Sequence, residues 1–387
     1  MTDFELMNKA AIVGVGTSDY GALYRDRQAR HDSRLLGVDA LRAALDDAGL
    51  AISDVDGLIC SGVTAHPQRY PDFAYRAGLR EVRYLVPYVQ SGRLCGAIIA
   101  HAAMTVHAGL ADCVACVFSI TARSSQERFG AGGELYDPLF GMASPGAQYA
   151  MLYNRYLDRF GLRGREHLQA AVPIAFRRHA ALNPHAALRD PVTVDDYLRS
   201  PYVARPLRKL DYCMISDGAA CVLVTRADRA RDLRKPPVYV TAFSNHATLW
   251  EMYVPPEEPK AYYFSYAERM MAEIRARSGL GNADIDSFQV YDNFTPDVLW
   301  SLEGAGFCAQ GEALDWIQGG RIELGGELPM NTSGGMMSEA YLQGWNNIAE
   351  AARQIRGECG PRQVAGCRTV LYACLAGVSN MVLFSGQ

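Results

Sequence analysis

Residues 325–344 read GGELPMNTSGGMMSEAYLQG, and five of these twenty are glycine. Glycine at this density strips side chains from the path of the chain, so backbone must approach something closely here. An Asn-Thr-Ser run separates the two glycine pairs, and the stretch opens into a helical pattern after Tyr341.

Upstream, a faint duplication frames this stretch. Residues 48–60 read AGLAISDVDGLIC and residues 278–290 read SGLGNADIDSFQV. Without a gap, both give a small residue, Gly-Leu, three variable residues, Asp-Val/Ile-Asp and an apolar strand start. Each follows an amphipathic pattern, Leu41, Leu45 and Ala48 in one copy and Ala267, Met271 and Ile274 in the other. Gly49 and Gly279 stand where a helix stops on a left-handed residue. Two related α/β halves are expected, divided as 1–235 and 236–387. The short apolar runs Ala10–Gly16, Cys113–Phe118, Ala219–Thr225, Val238–Phe243 and Thr369–Leu375 predict strands. They are continuous rather than alternating, which suits strands covered on both faces. Arg93–Ala108 predicts a helix ending at Gly109. Residues 120–210 break this rhythm with Gly130, Gly132, Gly133 and many aromatics, and are expected to form an inserted cap supplying substrate walls and dimer contacts.

Composition narrows the function classes. A net charge of -4 gives no electrostatic case for nucleic acid or an anionic membrane surface. No apolar run approaches the roughly eighteen residues that span a bilayer. The acidic start MTDFELMNKA lacks the pattern of a secretory signal, so a cytoplasmic protein with reduced thiols is expected. Cys113 and Cys116 form a lone CxxC, too little for a zinc site; no metal is expected.

Five segments together resemble the thiolase superfamily, in the branch of the lipid-transfer proteins and sterol carrier protein X. They are AAIVGVGTSDYG at 10–21, AGLAISDVDGL at 48–58, DYCMISDGAACVLVT at 211–225, VYDNFTPDVLWSLEGAGFC at 290–308 and GGELPMNTSGGMMSEAYLQGWNNIAEAARQIRG at 325–357. The resemblance implies two βαβαβαββ halves stacked as a five-layer α-β-α-β-α sandwich with an inserted cap. Thiolases use a cysteine nucleophile at a helix start, and its position falls near Ser91-Gly92, where no cysteine stands. Cys95 follows about one helical turn inside. Thiolases also carry histidines in the C-terminal half, and here no histidine follows His246. Tyr341 takes the place of the Gly-His-Pro histidine, while Cys374 in ACLAG matches the acid–base cysteine of Cys-x-Gly-Gly.

This pattern is similar to the steroid side-chain-cleaving aldolases, which lack the nucleophilic cysteine. The reaction implied is retro-aldol cleavage of a β-hydroxyacyl-CoA with a steroid or other bulky chain. The products are a ketone or aldehyde and a short acyl-CoA such as propionyl-CoA. It requires removal of the β-hydroxyl proton and stabilisation of a thioester enolate, for which phenols are suited. Two tyrosines are implied: Tyr341, in Ser338-Glu339-Ala340-Tyr341, and a mid-chain residue taken as Tyr253, with Tyr262 and Trp250 as alternatives. Asn293 could donate to the enolate oxygen, and Asp292 could orient a donor, take a proton or cap a helix. Ser91, Gly92, Cys95, Asn331, Ser333, Gly334 and Gly335 are expected to line the substrate or coenzyme A site. Two other functions stay open: a β-ketoacyl-CoA thiolase using Cys95 or Cys374, and a non-catalytic acyl-CoA carrier. The family implies a homodimer and a small acyl-CoA-binding partner with a zinc ribbon and an OB-fold, zinc residing only there. Coenzyme A enters as the substrate thioester, with no covalently bound cofactor.

Overall fold

A computed structural model describes residues 4–26, 30–62, 70–88, 92–126, 139, 141, 144–247, 259–375 and 378–386. The strands of the main sheet are β1 (Ala10–Thr17), β2 (Gly57–Ser61), β3 (Tyr84–Tyr88), β4 (Cys113–Thr121), β5 (Asp217–Arg226), β6 (Val238–Ala247), β7 (Ser287–Val290), β8 (Thr369–Cys374) and β9 (Val378–Ser385). The helices that matter here are α1 (Ser33–Ala48), α2 (Tyr70–Ala77), α3 (Cys95–His107), α4 (Pro145–Arg159), α5 (Ala171–Ala181), α6 (Pro259–Ser278), α7 (Thr295–Gly304), α8 (Gly335–Ser338) and α9 (Trp345–Arg356).

Every strand expected from the apolar runs is present. β1 is buried along nearly its whole length, and its glycines let α1 lie flat on it. A Cβ on Gly14 would fall 2.3 Å from the Ala44 carbonyl oxygen, and one on Gly16 2.0 Å from that of Ala40. The sheet order is β3-β2-β4-β5-β1-β6-β9-β8-β7. β2 runs parallel to β3 and β4, and β7 parallel to β8, while the remaining pairings are antiparallel. Two strand sets meet at a narrow seam, where Ala11 faces Tyr239 and Ile12 faces Val238.

Helices sort into three layers around these two sets. α1 and α2 cover the outer face of the first, over a core that includes Leu41, Leu58 and Phe73. α6 and α7 cover the outer face of the second, with Met270, Ile274 and Trp300. α3 and α9 lie between, sharing Ile98, Phe118, Trp345, Ile348 and Tyr372 in one central core. The result is the α-β-α-β-α arrangement of the thiolase fold. Side chains such as Trp345 and Phe118 each contribute roughly 2–3 kcal/mol by leaving water.

The duplication holds at the level of hydrogen bonds. α1 ends at Gly49 (φ 70°) and α6 at Gly279 (φ 73°). One short turn follows in each, closed by Asp54 accepting the Ala51 N–H at 2.8 Å and by Asp284 accepting the Gly281 N–H at 2.8 Å. Asp56 then clamps the start of β4 through the Cys113 N–H at 2.9 Å. Asp286 does the same for β8 through the Thr369 N–H at 2.9 Å. The paired aspartates are therefore turn-closing and strand-aligning groups in both copies.

The insertion packs on the second set. Tyr153 and Tyr156 lie edge-on to Trp300 of α7, with centroids 6.4 and 6.3 Å away, and the Tyr156 hydroxyl donates to Glu303 at 2.5 Å. These aromatics were expected to form a substrate wall; fully buried, they form core, because surfaces this large are costly to leave in water. Asp211 ties the insertion to α7 by accepting the Thr295 hydroxyl at 2.8 Å and the Tyr197 hydroxyl at 2.9 Å. Gly130, Gly132, Gly133, Tyr136 and Phe140 lie outside the described residues.

Candidate active site

The glycine-rich stretch meets the end of β7, and its first polar residues build the turn. Asn331, held at φ 42°, copies a strand partner with its side chain. Its Oδ1 accepts the Val290 N–H at 2.7 Å and its Nδ2 donates to the Val290 carbonyl at 2.9 Å. The Ser333 hydroxyl donates to Glu339 at 2.6 Å, and Asn183 and Asn346 also donate to that carboxyl. Burial, with Glu350 nearby, pushes Glu339 up to about 7.

Gly334 and Gly335 both have positive φ, 108° and 58°. A Cβ on Gly334 would lie 2.6 Å from Cβ of Ala180 in α5, and one on Gly335 2.4 Å from Oδ2 of Asp292. The close approach implied by the glycines is thus to the protein's own helix and carboxylate. Asp292 is fully buried and accepts the N–H groups of Met336 and Met337 at 2.9 and 3.0 Å, capping α8. Its carboxyl is pushed up to about 6 by burial, against the hydrogen bonds it accepts.

α8 and the turn after it deliver Tyr341 to the seam between the halves. Its backbone N–H donates to the Ser216 hydroxyl at 2.8 Å. Its phenol accepts from Gln343 Nε2 at 3.2 Å and hydrogen-bonds with Tyr291. Tyr291 leaves β7 with its N–H on the Ala373 carbonyl at 2.8 Å, which seats it beside Cys374. Burial raises the pKa of both phenols, so each is a neutral donor at physiological pH.

Behind this pair stands Cys95. It is the first residue of α3 rather than one turn inside, because Gly92–Leu94 form a separate 3₁₀ turn. The Asn380 side chain fixes that junction, accepting the Gly96 N–H at 3.1 Å and donating to the Arg93 carbonyl at 3.0 Å. The Cys95 thiol is fully buried and donates to the Tyr372 hydroxyl at 2.9 Å. Burial pushes it well above the ordinary thiol range, outweighing that hydrogen bond. A helix start activates a cysteine only when the thiolate can be solvated or paired, and here it is neither. Cys374, at the end of β8, is also fully buried.

Toward solvent the site is bounded by half-buried Asn293, Cys213 and Tyr149. Residues 212–216 strap the two loops together: the Cys213 N–H donates to the Asn293 carbonyl at 2.8 Å and the Met214 N–H to the Met336 carbonyl at 3.1 Å. Asn293 Oδ1 accepts the Phe294 N–H at 3.1 Å, turning its amide group toward Tyr149 of α4 and Asp297 of α7. The Tyr149 ring packs on Phe294 with centroids 4.4 Å apart.

Of the expected site residues, the structure gathers Tyr341, Cys374, Asn293 and Asp292 around one seam. Cys95 lies one step behind it, and Asn331, Ser333, Gly334 and Gly335 form the loop's buried frame. Gly92 opens the 3₁₀ turn; Ser91, Trp250 and Tyr253, and the side chain of Tyr262, lie outside the described residues. Sequence reading passed over Tyr291, Asp297 and Cys213, and met Tyr149 only as one of the insertion's aromatics. Tyr291 was accessible in principle, standing one residue before Asp292 at a strand end. That Tyr149, of all the insertion's aromatics, borders the site was not, since it arrives from more than a hundred residues away. Among the described residues no group of three or more His, Cys, Asp or Glu is placed to hold a metal, and no helix is long and apolar enough to cross a membrane.

Residues 258–383 match the family described as thiolase C-terminal domain-like. The chain is 38% identical to the 17-hydroxy-3-oxo-4-pregnene-20-carboxyl-CoA lyase of Mycobacterium tuberculosis, over 98% of this chain and 100% of that protein. It is 33% identical to the steroid side-chain-cleaving aldolase of Thermomonospora curvata, over 98% of each. Among solved structures, the Ltp2-ChsH2(DUF35) aldolase superposes with a TM-score of 0.88 at 33% identity, covering 98% of both chains. With the layered fold and a paired-phenol seam already in place, these near full-length likenesses decide the family: the chain belongs to the thiolase superfamily, in the branch of the steroid side-chain-cleaving aldolases.

Proposed function

We propose that this chain is the thiolase-fold subunit of an aldolase that cleaves a β-hydroxyacyl-CoA, with a steroid or similarly bulky chain, by a retro-aldol reaction. In that reaction the β-hydroxyl loses its proton and the Cα–Cβ bond breaks. The electron pair passes into a thioester enolate, the former hydroxyl carbon leaves as a ketone or aldehyde, and Cα is protonated to give a short acyl-CoA such as propionyl-CoA. The observation that carries this reading is the Tyr341–Tyr291 phenol pair at the seam, set against cysteines that burial keeps neutral. A thiolase needs a thiolate to hold the acyl group, whereas an aldolase needs proton carriers and hydrogen-bond donors, which neutral phenols are.

Tyr341 is assigned as donor to the thioester oxygen and proton source for Cα. Tyr253 is retained as the mid-chain phenol that the family resemblance implies. Asn293 polarises the reacting oxygen, Asp292 holds the loop that carries Tyr341, and Cys374 packs beneath Tyr291. A DUF35-type partner, with a zinc ribbon and OB-fold, is part of the proposal; the complex named in the related structure supports it. A homodimer is also proposed. Among the described residues β3 forms an open edge of the sheet, whereas the edge at β7 is paired to Met330 through Phe288, and an open edge favours strand addition. The halves are placed at 1–235 and 236–387, and the location at the cytoplasm, where ten unbridged thiols would persist.

The purified chain, supplied with its partner and a β-hydroxyacyl-CoA, is expected to release ketone or aldehyde without free coenzyme A. Product formation only from a β-ketoacyl-CoA, and only on addition of free coenzyme A, would establish thiolysis instead.

A further inference from the structure

Tyr341 projects from a turn that one carboxyl group closes. Glu339 is 3% exposed. Its Oε2 accepts the Ser333 hydroxyl at 2.6 Å and Asn346 Nδ2 at 3.1 Å, and its Oε1 accepts Asn183 Nδ2 at 3.0 Å. All three partners are donors, and they come from the glycine-rich loop, the first turn of α9 and the insertion. The bond to Asn346 makes a closed turn of residues 339–346, which carries Tyr341 together with Gln343, at φ 51°. Gln343 in turn donates to the Tyr341 oxygen at 3.2 Å. On the far side, the Ala187 N–H holds the Glu339 carbonyl at 3.0 Å. A hydroxyl–carboxyl bond of 2.6 Å has the length of a charge-assisted one, and donors on both oxygens favour the carboxylate. Burial and the Glu350 carboxylate oppose it, while Arg362, which pairs with Glu350 at 3.0 Å, works the other way. The buried Tyr20 phenol, itself faced by Arg353, is the remaining titratable group beside it. The balance puts the charge change of Glu339 at about 7, far below that of the phenols of Tyr341 and Tyr291.

We propose that Glu339 is the positioning residue that sets Tyr341 for proton transfer, and that its ionised form is the one that closes the turn. This deepens the aldolase reading and rests on it. Asn346 shows what a proton on Glu339 changes. Its Oδ1 is buried without a hydrogen bond among the described residues, while its Nδ2 donates both to Glu339 and to Asn347 Oδ1, the latter at 3.1 Å. Once protonated, Glu339 must donate, and the Asn346 amide turns over to offer that unused oxygen. The bonds from Nδ2 to Glu339 and Asn347 are then given up, and the turn slackens around Tyr341. A displacement of about 1 Å is enough to cost about 10²-fold in rate. Glu339 itself touches neither the substrate nor the reacting atoms; it acts through the turn.

The test uses the complete complex with a β-hydroxyacyl-CoA, measuring kcat and KM against pH for wild type, Glu339→Gln and Ser333→Ala. Wild-type kcat is expected to rise from an acid plateau through a limb at about pH 7. Glu339→Gln, whose amide stands in for the protonated carboxyl, should stay near that plateau at every pH. Its kcat is then about 10–100-fold below the wild-type maximum, with KM within about threefold. Ser333→Ala takes one donor from the carboxylate and should move the limb up by about one pH unit. A glutamate that only supports the fold would lower kcat when replaced but leave the limb in place. A limb that persists in Glu339→Gln, a kcat there within about threefold of the wild-type maximum, or a limb unmoved in Ser333→Ala would therefore overturn the assignment. Should Glu339→Gln fold poorly, the limb shift in Ser333→Ala carries the same test. Infrared difference spectra of wild type against Glu339→Gln need no turnover: a protonated-carboxyl band should fade as pH passes about 7, and its absence would also overturn the assignment. A wild-type complex that cleaves no β-hydroxyacyl-CoA would overturn the underlying aldolase reading; a cleaving wild type with an unaltered limb in both variants overturns the role of Glu339 alone.

Discussion

Tyr341 and Cys95 show how a residue's surroundings decide its chemistry. Both are buried, yet they differ in what burial costs. A phenol donates hydrogen bonds in its neutral form, so desolvation leaves its function intact. A thiol must ionise to attack, and Cys95, packed against Tyr372 and Gly344 with its proton on the Tyr372 oxygen, is held in the unreactive form. Brief treatment with iodoacetamide should therefore leave Cys95 unlabelled, as read by peptide mass spectrometry. Preferential labelling of Cys95 would show that its thiolate is accessible after all.

Among the elements, the strands were the most legible part of the sequence. β1, β4, β5 and β8 announce themselves as unbroken apolar runs because helices cover both faces, and the Gly-Leu…Asp-x-Asp repeat marks equivalent turns because the same hydrogen bonds close both. The start of α3 was misplaced by two residues. What fixes it is Asn380, nearly three hundred positions away, and no local pattern encodes that contact. The glycine-rich loop was legible as a place of close approach, but not what it approaches: Ala180 and Asp292 arrive from elsewhere in the chain. Gly335→Ala is expected to destabilise the fold by about 1–3 kcal/mol, since it combines a positive φ with a Cβ against a buried carboxylate. Urea denaturation would measure this, and an unchanged midpoint would show that the loop tolerates a side chain.

For the whole molecule, the notable feature is how many carboxyls are buried at raised pKa. Glu339 and Glu303 are held at about 7, and Asp211 and Asp292 at about 6, all chiefly by desolvation. Each keeps its proton in the folded chain at a pH where the unfolded chain has lost it. Their stabilising contribution is complete below the ordinary carboxylate range and is lost as pH rises through about 6 to 7. Buried His179 acts in the opposite sense, but only below about pH 6.5, where the unfolded histidine gains a proton. The melting temperature should therefore fall by several degrees between about pH 6.5 and about pH 8.5, a range in which buried thiols add to the same trend. A flat or rising melting temperature across that range would mean that these carboxyls are solvated in solution. The same burial explains why the candidate site was only partly legible: Tyr291 and Asp297 read as core in a linear sequence, and only the packed halves bring them beside Tyr341.

If a phenol does the work that thiolases share between cysteine and histidine, Tyr341→Phe in the complete complex must abolish cleavage. With kcat and acyl-CoA affinity measured on the same preparation, the expected result is a loss in kcat of about 10²-fold or more with the dissociation constant for acyl-CoA essentially unchanged. Cleavage at the wild-type rate in that variant would contradict it.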